Sequence, residues 1–158
     1  MAVFGREDGK TYADRSERQK SCYATVNVSD GGIGPMQGQA VVFERYFPED
    51  VPAARTRYKN ETRRLYEVLN NRLEKVEFLA GEISIADIAT WAWVHTYRWP
   101  RIPIDGLEHL TRWINLLGER RAFRQGILLP PLPVGPTFKK QEALVSLLSN
   151  FIKANRQP

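Results

Sequence analysis

Apolar residues recur along this chain at helical spacing. Met36, Ala40, Phe43 and Phe47 stand four, three and four apart, which places them on one face of a helix that starts near Pro35. Pro48 and Pro52 bracket the end of that helix and the start of the next. The second helix is predicted over 52–76, with Tyr58, Leu65, Leu69, Leu73 and Val76 as its inner stripe. Gly81 breaks the pattern. A third helix follows over 85–99, stopped by Pro100, and it is apolar on every side: Ile85, Ile88, Ala89, Trp91, Ala92, Trp93, Val94. A helix of that kind belongs in the middle of a bundle. Asp105-x-x-Glu108 opens a fourth, turning Leu107, Leu110, Trp113, Ile114 and Leu117 inward. Residues 128–136 hold Pro130, Pro131, Pro133 and Pro136 and read as an extended linker, because each ring removes a donor and biases its neighbour away from helix. A last helix over 138–154 gathers Leu144, Leu147, Leu148, Phe151 and Ile152 on one side. Residues 1–30 show no helical stripe. Their alternating run at 23–28 allows one short strand, and one isolated strand is not stable, so a disordered or loosely packed arm is expected there. With no βαβ alternation, the expected fold is an all-α bundle.

The third helix has the clearest start. Ser84-x-x-Asp87 is a capping box: Ser84 can accept from the first-turn N–H groups, and Asp87 can reach back to the Ser84 N–H. Ile83 and Ile88 have the spacing of a hydrophobic staple. Within this stretch, Ala80-Gly81-x-x-Ser84-Ile85-Ala86-Asp87-Ile88-Ala89 resembles the capping-box segment of the helical C-terminal domain of glutathione transferases. Gly31-Gly32-Ile33-Gly34-Pro35-Met36-Gln37-Gly38-Gln39 resembles the first helix of that domain in the nu-class, disulfide-bond oxidoreductase branch. Residues 57–73 are similar to its second long helix, Trp91-Ala92-Trp93 to its Trp-Pro-Trp, and His109-Leu110-Thr111-Arg112-Trp113 to its closing helix. The likeness covers about 31–126 in one order. It implies a glutathione-transferase C-terminal-domain bundle with an extra C-terminal helix at 127–158, preceded by a divergent arm at 1–30.

Composition supports a globular chain: 42% hydrophobic and 26% charged residues over 158 positions, enough for one domain with a core. One cysteine, Cys22, excludes an internal disulfide and fits a reducing, cytoplasmic setting. No apolar run is long enough for a membrane span, and the first 18 residues carry no secretory h-region. The net charge of +5 could suit nucleic acid, but Arg57, Glu61, Arg64 and Glu67 interleave as on a solvated helix face, and no nucleic-acid motif accompanies them.

The resemblance also implies where chemistry lies. In the family, glutathione is the cosubstrate and its thiol is activated by a thioredoxin-like N-terminal domain, to which residues 1–30 do not correspond. The expectation is a chain with no catalytic residue of its own, inactive or weakly active. The helical share of the site would be Arg57 and Arg64 toward glutathione carboxylates, with Gln37, Phe43 and Tyr46 on the hydrophobic-substrate side. Intrahelical pairing with Glu61 competes with the first role, and core packing competes with the role given to Phe43. Ser84 and Asp87 read as a structural cap, the tryptophans and His95 as core or boundary residues, Cys22 as incidental. Two histidines and one cysteine far apart make no metal site. The alternative function is a non-catalytic protein-interaction module of the same fold. Either way Met36, Phe43, Tyr46 and Phe47 are expected to need a cover: a homodimer, a partner protein, or the last helix folded back as a lid.

Overall fold

The computed structural model describes residues 12–129. Among these described residues there are six α-helices: α1 (Tyr12–Val28), α2 (Gly34–Val41), α3 (Pro52–Lys75), α4 (Ile85–Val94), α5 (Glu108–Gly118) and α6 (Arg121–Gly126). The fold class is all-α. Two isolated antiparallel bridges, Phe78 with Gly81 and Ala80 with Glu82, form the turn before α4. Gly81 makes that turn at φ +91°, a backbone region that favours glycine.

The run at 23–28 is helix, not strand. Cys22 and Val26, four apart, pack on the core from one side of α1. Arg72 of α3 donates to Ser21 Oγ at 3.1 Å and ties α1 down. A π-helical stretch, Ser29–Ile33, carries α1 into α2, and a second, Val42–Tyr46, ends α2. The chain therefore crosses Gly31 inside continuous helix. The prolines from Pro130 onward and the helix expected at 138–154 lie outside the described residues.

α3 matches the predicted helix, with Pro52 in its first turn and Leu65, Leu69 and Leu73 buried. Thr62 and Tyr66 are buried beside them. Trp113, Leu110 and Leu117 of α5 close the core from the other side. Asp105 does not cap α5. Its Leu110 N–H is taken by Asn70 Oδ1 of α3 at 3.1 Å, a tertiary acceptor in place of a local one.

α4 is shorter and more exposed than its composition predicts. It ends at Val94, because the Trp93 carbonyl accepts from Gln37 Nε2 at 2.7 Å and from Thr96 Oγ1 at 2.7 Å, and tight turns follow through Trp99. Ala86, Asp87, Thr90, Trp91 and Val94 face inward. Ile85, Ile88, Trp93 and Trp99 remain exposed, so the helix is apolar all round without being buried all round. Gly34 explains how closely α2 approaches it. A Cβ there would lie 3.1 Å from the Trp93 ring and 3.3 Å from the Ser29 carbonyl.

Candidate functional site

The first residues of α3 build an open ledge. Arg57, Asn60, Glu61 and Arg64 recur at three- and four-residue spacing, so they share one outward face. Met36 of α2 closes the side of a cleft of about 460 Å3. Arg64 grips Glu61 with both edges of its fork, Nε to Oε2 at 2.9 Å and Nη2 to Oε1 at 2.7 Å. That bidentate bond holds the Glu61 carboxyl below the usual carboxylate range, with Arg57 adding to the pull. Arg57 is exposed. The ledge thus presents two guanidinium groups, one free to turn outward and one held by an exposed carboxylate, which an incoming carboxylate could replace.

The structure brings Arg57 and Arg64 together and leaves the other expected site residues elsewhere. Gln37 does not face a cleft. It is fully buried, donating to the Trp93 carbonyl and to Thr96 Oγ1 at 3.0 Å and accepting from the Tyr66 hydroxyl at 2.7 Å. It is a hub joining α2, α3 and α4. Burial keeps the Tyr66 phenol neutral, its pKa pushed above the ordinary value. Phe43 is half-buried, stacked on Tyr58 with ring centroids 5.5 Å apart and tilted against Phe47 at 4.9 Å. Tyr46 is half-buried at the end of the second π-helical stretch and does not line the ledge. Met36 and Asn60 were the residues missed. Asn60 falls three after Arg57 and four before Arg64, a spacing that could have found it.

The Ser84–Asp87 cap is formed. Ser84 Oγ accepts from the Ala86 N–H at 3.2 Å, and Asp87 Oδ2 accepts from the Ser84 N–H at 3.0 Å. The carboxylate also takes the Leu79 N–H at 3.0 Å and the Trp113 indole N–H at 2.9 Å. His95 Nδ1 donates to the Trp91 carbonyl at 2.8 Å, and its ring stacks on Trp91 at 4.2 Å. Cys22 is half-buried against the core. Among the described residues no three His, Cys, Asp or Glu side chains cluster as metal ligands would, and no helix is long and apolar enough to cross a membrane.

Comparison with known proteins places this geometry. The sequence model of the family "Glutathione S-transferase, C-terminal domain" matches residues 39–120. The disulfide-bond oxidoreductase YfcG of Escherichia coli is 43% identical over 99 residues, which cover 62% of this chain and 46% of that protein. A glutathione transferase from Burkholderia graminis, solved with two glutathione molecules bound per subunit, superposes with a TM-score of 0.69 at 31% identity, covering 73% of this chain and 51% of that one. A glutathione transferase from Pseudomonas putida, solved with one glutathione disulfide per subunit, gives 0.68 at 30%, covering 72% and 52%. The chain spans about half the length of these relatives. With the capping box, the long α3 and the bundle order all in register, it belongs to the glutathione S-transferase C-terminal domain family.

Proposed function

We propose that this chain supplies the helical half of a glutathione-dependent disulfide-bond oxidoreductase or transferase, and that the α3 ledge holds the carboxylates of glutathione or glutathione disulfide. The observation that carries this is the cleft where Arg57, Asn60 and Arg64 converge beside Met36. A planar fork matches a carboxylate, and Glu61 holds Arg64 in an outward position until a ligand carboxylate replaces it. The described residues contribute binding rather than thiol activation: the His95 Nδ1 is spent on a carbonyl, and Cys22 packs on the core. Two copies would meet as a homodimer, in keeping with relatives described by subunit, and one half-buried cysteine suits a reducing cytoplasm.

Calorimetric titration of the chain with glutathione and with glutathione disulfide tests the reading. Binding of either, weakened about 10-fold or more by Arg57→Ala with Arg64→Ala, is the expected outcome, since each charged hydrogen bond is worth roughly 1.5–3 kcal/mol. Affinity untouched by the double substitution would place glutathione elsewhere.

A further inference from the structure

The end of α2, where the sequence reading leaves Phe43, Tyr46 and Phe47 in need of a cover, carries charge instead. These three are half-buried, and the two residues between Phe43 and Tyr46 hold the turn that follows α4. Arg45 Nε donates to the Trp99 carbonyl at 2.7 Å, with its guanidinium 5.7 Å from the centre of the Trp99 ring. Glu44 takes Arg101 Nε at 3.2 Å on one carboxylate oxygen and Lys59 Nζ of α3 at 2.9 Å on the other, and Arg55 Nε lies 4.0 Å away. Two adjacent residues thus clip positions 99 and 101 to the bundle. Three cations share the one Glu44 carboxylate. That side chain is 8% exposed and is spent inside the cluster, whereas Arg101 is 77% exposed. Asp50 pairs with Arg55 from an exposed position. Arg98 lies on the same turn as Arg101, and Glu49 adjoins Asp50, so five cations stand against three carboxylates.

Arg101 sets this cluster apart from an ordinary charged surface. Among the described residues it is the non-glycine residue at positive φ, 54°, a backbone region uncommon outside glycine, asparagine and aspartate. Glycine would make the same turn with less strain, so what the arginine adds is its guanidinium. Nε is engaged by Glu44, and the two Nη groups have no acceptor among the described residues. Cations held this close repel one another, and a doubly charged anion relieves that repulsion. We propose that the cluster binds a phosphate group, gripped by Arg101 and Lys59 above Glu44, with Arg45 and Arg55 adding charge. Phosphate fits better than a carboxylate. It carries close to two charges at neutral pH and offers three acceptor oxygens, enough for donors arriving from α3 and from the turn at once. Free phosphate and the phosphomonoester of a nucleotide share this chemistry, and a nucleotide would also find the half-exposed Trp99 indole to stack on. Arg55 and Lys59, four apart, share a face of α3 turned away from Arg57 and Arg64, so this site stands apart from the glutathione reading.

Calorimetric titration of the full chain with inorganic phosphate and with adenosine monophosphate tests it. Saturable binding with a Kd of ~1 mM or tighter is expected. Arg101→Gly and Lys59→Gln should each weaken it ~10-fold, the loss that one charged hydrogen bond gives. Arg101→Gly should do so without lowering the unfolding midpoint, because glycine suits the positive φ. Arg121→Gln with Arg124→Gln takes two charges from α6 and should change the affinity less than ~2-fold, since exposed charges at a distance are screened. Tighter binding of adenosine monophosphate than of phosphate, with the gain lost in Trp99→Leu, would support the site with a nucleotide as its source of phosphate; equal affinities would support it with free phosphate. No saturable binding of either probe would overturn the proposal. So would affinity untouched by Arg101→Gly and Lys59→Gln, which would make the cluster structural, or an equal loss in the α6 variant, which would reduce it to the overall positive charge of the chain.

Discussion

Asp87 is fully buried, and its carboxylate takes four donors: the N–H groups of Leu79 and Ser84, the Ser84 hydroxyl and the Trp113 indole. Glu61, one helix away on the outer face of α3, grips the Arg64 guanidinium in a bond that stays open to solvent. Both are acidic side chains with short, well-aligned partners. They differ in what removal would leave behind. Around Asp87, water cannot replace the lost acceptor, so each orphaned donor carries its full desolvation cost. Around Glu61, water and any dissolved carboxylate can step in, which makes the pair cheap to break and therefore useful for binding. Depth, rather than chemistry, separates the part of this polar network that holds the fold from the part available to a ligand.

The largest effect is expected at Asp87. Asp87→Ala should lower stability by about 3–5 kcal/mol, since a buried charged acceptor disappears while the Leu79, Ser84 and Trp113 donors stay inside. Urea unfolding followed by tryptophan fluorescence measures it. A loss under ~1 kcal/mol would mean that the node is wet or rearranges, and the contrast with Glu61 would collapse.

Gln37 extends the same logic to the second buried hub. Gln37→Leu keeps the volume and removes both ends of the amide. It leaves the Tyr66 hydroxyl and the Trp93 carbonyl with one partner fewer. A loss of about 2–3 kcal/mol is expected in the same unfolding experiment. A neutral result would show that α2, α3 and α4 are joined by packing alone.

These two hubs show what the sequence carried. The Ser84–Asp87 spacing is local, so the cap could be read directly, and so could α3 with its four-residue stripe of Leu65, Leu69 and Leu73. Asp87's bonds to Leu79 and Trp113 are not local, and nothing in the spacing announces them. Gln37 was set on the hydrophobic-substrate side by the family resemblance alone; its burial comes from contacts that are not local, with α4 approaching over Gly34 to enclose it. The run at 23–28 alternates like a strand, yet with no strand to pair with among the described residues, Cys22 and Val26 settle the matter by packing as helix neighbours. The outward side of α4 could not be foreseen from composition, because apolar residues on every face look alike until the neighbours are known. Arg57 and Arg64 were legible as a pair because both lie on one helix, seven residues apart. Met36 joins them only through tertiary packing.

Tyr66 tests the buried side through pH. Burial raises its pKa above the ordinary tyrosine value of about 10. A folded-state pKa raised above the unfolded one gives stability that is fully present below pH ~10 and lost as pH rises beyond it, because the unfolded chain ionises first. The expected loss from this group is roughly 1 kcal/mol by pH 11. Tyr66→Phe should cost some stability at neutral pH by leaving Gln37 Oε1 without its donor, and should flatten the alkaline decline. Parallel pH slopes for the parent and Tyr66→Phe would show that the hydroxyl titrates in contact with water.

The exposed side should respond least. Arg57→Ala with Arg64→Ala removes both guanidinium groups from the ledge and frees Glu61, which water then solvates. Exposed pairs three apart on a helix contribute little, so the unfolding midpoint should move by no more than about 0.5 kcal/mol in either direction. The same protein is the one expected to lose glutathione binding in calorimetry. That pairing of results sharpens the comparison, because a large functional loss with an intact fold is what an exchangeable surface network predicts. A fall in stability above ~1 kcal/mol would instead make the ledge part of the scaffold. Any accompanying loss of glutathione affinity would then reflect a disturbed α3, and the distinction between the buried and exposed carboxylates would no longer follow from depth.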